Sequence, residues 1–508
     1  MEVNIIGAGL AGCECALQLA KRGIEVNLYE MRPKKMTGAH TSEKIAEFVC
    51  SNSLGSYDIT NASGLLKKEM ELLGGELIKI AYECQVPAGG ALAIDRELFS
   101  KKVTELIEQN PNINIIREEI TQLPDTPTVI SSGPLTSDAL ADSIKEFTQS
   151  EHLHFFDAIA PIVEKDSINF DIAFWANRYD KGDATYINCP MNKEQYEKFY
   201  NILINAPKIE LKEFEKSDKG GAKFFESCLP IEVLASRGVD TLRFGPMKPV
   251  GLVDKRKIRT VHTELNSKLD SNSESWLGLT KGTAEVMRRV TLSFERSEEQ
   301  TQQHKTDVAF NSTRCGEENY AVVQLRQDDS AKTLYNLVGF QTNLKWSSQK
   351  ELLQSIPGLE NVNIVRYGVM HRNTFINSPK VLNATLQSKK RPDLFFAGQI
   401  TGTEGYTESI ATGMIAGINM EKYLTSIRDG GLGNPPYLEL PKETMIGALC
   451  LYISDPAHEK FQPINSNWGI IEPIDRTLIP KHERKNKKFK NELLAKRSIE
   501  ALSNIISR

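Results

Sequence analysis

Three glycines near the start of the chain have the types and spacing of a phosphate-binding turn. The run Gly7-Ala8-Gly9-Leu10-Ala11-Gly12 closes a short apolar stretch, Val3-Asn4-Ile5-Ile6, and precedes Ala16, Leu19 and Ala20 at helical spacing. That pattern is strand, turn, helix. Gly7 makes the tight turn, Gly9 lets the backbone approach a pyrophosphate, and Gly12 lets helix and strand pack closely. The free N–H groups at the helix start then face the phosphates. A second apolar strand, Glu25-Val26-Asn27-Leu28-Tyr29, ends on Glu30, eighteen residues past Gly12 and placed to accept hydrogen bonds from a ribose. Two cysteines stand where other chemistry could occur. Cys50 precedes the small polar cluster Ser51-Asn52-Ser53, a context that fits an active-site loop and a buried structural thiol equally well. Cys228 lies in Phe224-Phe225-Glu226-Ser227-Cys228-Leu229-Pro230.

These groups need a scaffold, and the totals bound what it can be. With 508 residues the chain exceeds one ordinary core, so two or three domains are expected, and 40% apolar composition is enough to fill them. Sixty-two Lys plus Arg against sixty-six Asp plus Glu leave a formal charge of −4, which confines any RNA contact to a local patch. Eight cysteines form no C-x-x-C pair and no zinc spacing, so no metal site is expected and they read as reduced thiols of a cytoplasmic protein. No apolar run reaches the roughly eighteen residues of a membrane span, and the first strand starts too early for a signal peptide, so no membrane association is expected.

Along the chain, Met31 to Met36 reads as a solvated basic turn, and Leu65, Leu66, Met70 and Leu73 fall on one face of a helix over 61–73. Alternation predicts strands at 112–116 and 128–131. From about His154 the aromatic density rises, as expected of an inserted substrate domain. Residues 257–318 contain no proline and few apolar positions and read as a peripheral insertion. A strand resumes at Tyr320-Ala321-Val322-Val323-Gln324-Leu325. Another, Leu394-Phe395-Phe396-Ala397, ends in Gly398-Gln399 ahead of a small-residue helix over 409–417, whose N-terminus could face a cofactor. Between Arg476 and Arg497 nine Lys or Arg stand against two Glu, which fits a solvated helix face or an RNA-contacting arm.

Several stretches taken together resemble one family, the folate- and FAD-dependent tRNA uracil-5-methyltransferases (TrmFO). They are the Gly7–Gly12 turn, Tyr29-Glu30-Met31-Arg32-Pro33, Val49-Cys50-Ser51-Asn52-Ser53, Pro87-Ala88-Gly89-Gly90-Ala91, Arg243-Phe244-Gly245-Pro246-Met247-Lys248-Pro249-Val250-Gly251, Tyr367-Gly368-Val369-Met370-His371-Arg372-Asn373-Thr374 and Phe395-Phe396-Ala397-Gly398-Gln399-Ile400-Thr401-Gly402. One departure is the roughly sixty residues separating the Gly245-Pro246-Met247-Lys248 motif from the strand at 320, where the family usually has about a dozen.

The resemblance implies an α/β fold, an FAD-binding Rossmann-like domain of the two-dinucleotide type interrupted by an α+β insertion domain. Its expected parts are 1–155 and 320–430 for FAD, 156–319 for substrate, with 257–318 extra, and a basic helical tail over 431–508. It implies methylation of uridine to 5-methyluridine in the tRNA T-loop, with methylenetetrahydrofolate as carbon donor and FAD reduced by NADH or NADPH. Cofactor contacts are expected from Gly7, Ala8, Gly9, Leu10, Ala11, Gly12, Glu30, Gly398 and Gln399. Uracil C5 is a weak nucleophile until a thiolate adds to C6. The resemblance makes Cys228 the thiol for that addition and puts Cys50 near the flavin as general base or second thiol, with lowered thiol pKa values expected. It also puts Arg243, Lys248, His371 and Arg372 within reach of folate or RNA phosphate. The partners implied are tRNA and folate, with no obligate protein partner. The same chemistry on ribosomal RNA, a related FAD-dependent wobble-uridine enzyme, and a flavin-retaining RNA-folding factor remain as alternatives.

Overall fold

The computed structural model describes residues 2–180, 184–209, 229–252, 254, 256, 319–430 and 435–507. Cys228 and the whole of 257–318 lie outside these residues. The chain opens with β1 (Glu2–Ile6), α1 (Leu10–Ala20) and β2 (Glu25–Tyr29), the elements expected around the glycine turn. Next come β3 (Ser53–Ser56), α2 (Ala62–Leu72), α3 (Leu77–Glu83), β4 (Gln85–Val86), β5 (Ala91–Ile94), α4 (Arg96–Glu108), β6 (Ile113–Ile116), β7 (Thr128–Ile130) and α5 (Asp138–Thr148). The middle of the chain supplies β8 (Leu153–Ala158), β9 (Ile162–Glu164), β10 (Phe174–Trp175), β11 (Tyr186–Met191), α6 (Lys193–Asn205) and α7 (Ile231–Ser236). After the undescribed stretch follow β12 (Ala321–Gln327), β13 (Leu334–Leu337), α8 (Trp346–Gln354), β14 (Ile364–Arg366), β15 (Met370–Phe375) and β16 (Leu394–Phe396). Three further helices complete the order: α9 (Tyr406–Arg428), α10 (Met445–Ser454) and α11 (Lys487–Ile506).

Two sheets organise the molecule. The first is five-stranded in the order β16-β7-β1-β2-β6, every pair parallel, with β1 at its centre. The second is six-stranded and antiparallel, in the order β10-β11-β12-β13-β9-β14. Strand β12 pairs with β11 through six registered residues, Tyr186 with Arg326 to Met191 with Ala321. The chain therefore stays in the second sheet through residue 366 and rejoins the first at β16, later than the boundary at 320 expected from sequence. Each sheet has its own apolar core, one around Ile5, Leu28, Phe395 and Met414 and the other around Ile187, Phe199, Val323 and Leu353.

Helix α1 is buried on every side, including Glu14 and Gln18, because it lies between the parallel sheet and α9. Helix α9 runs 23 residues, well beyond the 409–417 expected. It starts directly after Gly405, whose φ of +118° ends the preceding loop, and Ile418, Met420 and Leu424 keep its apolar face going. The two helices meet backbone to backbone: a Cβ on Gly413 would lie 2.2 Å from the carbonyl oxygen of Ala11, and one on Gly417 2.9 Å from that of Cys15. No helix among the described residues is long and apolar enough to cross a membrane.

Buried glutamates fasten the outer helices. Glu14 accepts the N–H of Glu76 and of Leu77, the latter at 2.8 Å, where α3 begins. Glu69 on α2 accepts the N–H groups of Met445 and Ile446 at 2.6 and 2.8 Å, the start of α10, and Ser498 Oγ of α11 donates to the same carboxyl at 2.5 Å. Burial pushes Glu69 up to about 7, against the pull of Ser498 and the two backbone donors.

A carboxyl raised in the folded state stabilises the fold fully below its unfolded value of 4.5, and that contribution is lost as pH rises through about 7. Thermal unfolding of the wild type and of Glu69→Gln between pH 4.5 and 8 should therefore give a stability difference that moves against the wild type as pH rises. The movement should total about 3 kcal/mol and end near pH 8. A pH-independent difference would mean that Glu69 titrates in its ordinary range.

Candidate active site

The C-terminal edge of the parallel sheet brings the glycine turn, the end of β2 and the end of β16 together. Gly7 has φ +102°, and a Cβ there would lie 2.6 Å from the carbonyl oxygen of Ser131. Gly12 is held tighter, since its Cβ would come within 1.9 Å of the Gly7 oxygen. Gly9 is different. Nothing lies within 4 Å of a Cβ placed on it, although it caps α1 and is followed by buried Leu10 and Ala11. A space that the protein leaves open at the first turn of a helix fits a diphosphate. Gly398 closes on the same turn from β16: its φ is +79°, its N–H donates to Thr412 Oγ1 at 2.9 Å, and a Cβ would lie 2.9 Å from Ala11 Cβ. Gln399 Nε2 donates to Glu404 Oε1 at 2.7 Å.

Glu30 sits at the end of β2, with both carboxyl oxygens engaged. Oε1 accepts from Arg32 N and Nε at 3.1 and 2.9 Å, and Oε2 accepts from Ala8 N at 3.2 Å and Arg32 Nη2 at 3.3 Å. Arg32 is only 2% exposed and also pairs with Glu47 at 2.9 Å. The turn read as solvated is thus, at Arg32, the hub of a buried ion triad. Burial alone would raise Glu30, but the hydrogen bonds and charge of Arg32 bring it below its ordinary range. Beside it, burial and then Arg32 push His40 down to about 4, so the ring is neutral near pH 7.

The loop after Glu47 carries Cys50 to a junction between the start of α9, the end of β8 and the antiparallel sheet. Tyr406, the first residue of α9, accepts the Cys50 N–H at 2.6 Å and packs its ring 4.4 Å from Phe48. The Cys50 Sγ donates to the Ala158 oxygen at 3.7 Å. Asn52 ties the loop to β5, which pairs with β3 and β4 in a small separate sheet, and to the antiparallel sheet, giving Nδ2 to Ile94 O at 3.0 Å and to Gln327 O at 2.9 Å, while its Oδ1 accepts from Asn336 at 3.1 Å. Arg96 extends this junction by donating to Phe48 O and pairing with Asp328 at 2.7 Å.

Burial, followed by the charge of Asp157, raises the Cys50 thiol above its usual range, and Arg96 and Arg366 offset this only in part. The lowered thiol expected from sequence is not what this environment gives: too little water and too much acid surround the sulfur. Burial and Asp157 also hold Glu404 well above the carboxylate range. Near pH 7 the Cys50 sulfur is therefore a protonated thiol. Arg96 Nε, Arg326 Nε and His371 Nε2 are among the buried polar atoms that lack a partner among the described residues, and are free to meet a ligand. His371 is pushed down to about 4 by burial and by Arg366.

Not every residue singled out in the sequence belongs to this pocket. Arg243 is held elsewhere, 3.5 Å over the Tyr320 ring and paired with Asp240 at 2.8 Å. Lys248 is exposed, and its backbone oxygen accepts from Arg178. Sequence reasoning missed the roles of Arg32, Arg96, Asn52, Asp157 and Glu404. The available signal was the acid–x–Arg–Pro spacing at Glu30, Arg32 and Pro33. Six described cysteines, Cys50 among them, are free thiols, and the described residues contain no cluster of three metal-ligand side chains.

A parallel sheet with an open glycine turn, interrupted by an antiparallel domain, defines a dinucleotide-binding flavoprotein of the GidA type. The family model described as glucose inhibited division protein A matches residues 2–269 and 281–428. A solved structure of Aquifex aeolicus GidA superposes with a TM-score of 0.60 at 15% identity, covering 99% of this chain and 73% of that one. Curated relatives are far nearer in sequence. Proteins of Bacillus velezensis and Anoxybacillus flavithermus are both 48% identical, over 503 and 508 residues, covering 99% and 100% of this chain and 98% and 100% of theirs. A Halalkalibacterium halodurans protein is 47% identical over 507 residues, covering 100% of this chain and 99% of its own. All three are named methylenetetrahydrofolate–tRNA-(uracil-5-)-methyltransferase TrmFO. The chain belongs to the TrmFO family.

The two inner glycines can be told apart by experiment. Gly12→Ala should lower the melting temperature of the flavin-free protein, because the methyl meets backbone at 1.9 Å. Gly9→Ala should leave that temperature unchanged while weakening flavin retention at least tenfold, read by the flavin absorbance left after gel filtration. Unimpaired retention in Gly9→Ala would remove the turn from the cofactor site.

Proposed function

We infer that this enzyme methylates uridine at C5 in the T-loop of tRNA, taking the carbon from methylenetetrahydrofolate. The observation that carries the reading is 48% identity over the full chain to TrmFO proteins, with Cys50 held by Tyr406 at the start of α9 and its loop bound to β12 through Asn52. FAD, reduced by NADH or NADPH, supplies the redox chemistry when bound. The remaining tasks fall to the chain's own residues.

Gly7, Ala8, Gly9, Leu10, Ala11 and Gly12 would line the FAD pyrophosphate, with the open side at Gly9 as the point of closest approach. Gly398 and Gln399 would border the cofactor from the other side of the turn. Glu30 has no idle lone pair in this structure, so a ribose hydroxyl would take the place of its longest contact, that from Arg32 Nη2 at 3.3 Å. Ala8 and Arg32 would hold the carboxylate in position during that exchange.

On the RNA side, the uracil must leave its stack to be reached. The resemblance gives Cys228 the addition to C6, which moves an electron pair toward C5 and the C4 carbonyl and makes C5 the nucleophile. After the C5–carbon bond forms, the C5 proton must leave and the C6–sulfur bond must break. Cys50 rests as a protonated thiol beside Asp157 and Glu404, which suits a group exchanging one proton with the substrate more than a resting nucleophile.

Nucleoside analysis of tRNA and ribosomal RNA transcripts after incubation with methylenetetrahydrofolate and NADPH should find 5-methyluridine in the tRNA T-loop alone. Product in ribosomal RNA alone would move the target, and a modified wobble uridine would replace the reaction. Cys228→Ala should lower product by at least three orders of magnitude with flavin still bound. Turnover at the wild-type rate would strip Cys228 of its role.

A further inference from the structure

We propose that the basic segment leading into α11 is a docking face for the phosphate backbone of the tRNA substrate. The proposal rests on the reading of the enzyme as a tRNA methyltransferase and assigns that substrate a surface away from the reacting base.

The charge of this segment is only partly compensated. Arg476, Lys481, Lys485, Lys487 and Lys488 are exposed and Lys490 is half-buried. Of the acids nearby, Asp475 accepts from Thr477 N at 2.8 Å, Glu483 accepts from Asn486 at 2.7 Å and lies 3.8 Å from His482, and Glu492 lies 3.9 Å from Lys488. Among the described residues no carboxylate stands within ion-pair distance of Arg476, Lys481, Lys485, Lys487 or Lys490. This local patch belongs to a chain whose overall formal charge is −4.

A face shaped for solvation alone would be arranged differently. The start of a helix favours acids and disfavours cations, because the unpaired N–H groups there carry positive potential. The first turn of α11 nevertheless holds Lys487, Lys488 and Lys490 and no acid. These cations work against the local helix field unless an anion sits over them, in which case lysines and helix act in the same direction.

The face is also firmly mounted. Leu494, Ala495 and Leu502 on the other side of α11 are buried, Ser498 donates to Glu69, and Arg497 donates to the backbone oxygens of Glu472 and Pro473. Asn491 Nδ2 donates to the Thr60 oxygen at 2.9 Å, joining the segment to the turn that follows β3. Thr60 is ten residues from Cys50, a separation of at most about 35 Å, comparable with one turn of a nucleic-acid duplex. Tyr57 lies on that path, 46% exposed, and its hydroxyl donates to the Gly89 oxygen at 2.8 Å, leaving the ring available to stack on a base. Leu478, 73% exposed, adds an apolar contact at the basic end. Basic groups on a rigid mount, joined through Asn491 and Thr60 to the segment that carries an exposed ring and leads back to Cys50, match RNA.

The test measures binding of an unmodified tRNA transcript to the FAD-loaded enzyme at several KCl concentrations. Wild type is compared with the triple variant Lys485→Gln, Lys487→Gln, Lys490→Gln and with a control, Lys101→Gln, Lys193→Gln, Lys350→Gln. Removing three phosphate contacts should reduce the slope of log affinity against log salt by about 2 and weaken binding on the order of tenfold. KM for tRNA should rise to match, with kcat at saturating tRNA and flavin absorbance unchanged, and the control should resemble wild type. A triple variant that titrates like wild type while both methylate tRNA overturns this proposal and leaves the enzyme reading standing. Equal losses in the control overturn it as well, since the effect would then be one of total charge. A wild type that neither binds nor methylates tRNA overturns both.

Discussion

Helices α1 and α9 touch through their backbones, and the position of the cofactor edge depends on that contact. Gly413 and Gly417 face the carbonyl oxygens of Ala11 and Cys15 at distances that leave no room for a side chain. This proximity lets Gly398, at the end of β16, sit against Ala11 in the first turn of α1. Widening the pair by one methyl would separate two glycine segments that lie far apart in sequence and must meet around a single ligand. The packing of a dense interior allows little adjustment, so the requirement falls on residue type at four or five positions.

A second constraint is the placement of acid where water is scarce. Glu14 and Glu69 are fully buried, and each accepts backbone donors at the start of another helix, α3 or α10. These donors have no partner within their own helices, so a carboxyl from a neighbouring element satisfies both sides at once. Glu30 follows the same logic with a different partner: Arg32 neutralises it and Glu47 together. Removing one member of such a buried pair typically costs about 3–5 kcal/mol, because the remaining charge is left unpaired. The Glu30 end of the candidate site is therefore part of the folded core rather than an attachment to its surface.

What could be read from sequence divides along this line. The turn at Gly7, Gly9 and Gly12, the strand ending at Glu30 and helix 62–72 were legible because each is specified by neighbours within a few residues. Arg32 was misread because a basic turn looks the same whether its cation faces water or a carboxylate fifteen residues away. Asn52 was mute for the same reason: its partners, Ile94, Gln327 and Asn336, are up to 284 residues distant. The end of α9 was missed because Gly413 and Gly417 resemble helix breakers in one dimension and are packing surfaces in three. The return to the parallel sheet was placed too early because β12 alternates like any strand, and only its pairing with β11 assigns it to a sheet.

Cys50 depends on both constraints. Its loop is tied to β5 and β12 through Asn52 and to α9 through Tyr406, so the sulfur is located jointly by β5, the antiparallel sheet and the long helix. Arg96 and Arg366 favour its thiolate, while burial, Asp157 and Glu404 favour its thiol, and the second group prevails. A sulfur balanced among charges of both signs responds strongly to a change in any one of them. Burial and Asp157 raise the proton affinity of Glu404, and Gln399 ties it to the segment after Gly398. The proton affinity of the thiol is thus coupled electrostatically through Glu404, and through its bond from Gln399, to the segment after Gly398, and a change of charge there alters the proton affinity at Cys50.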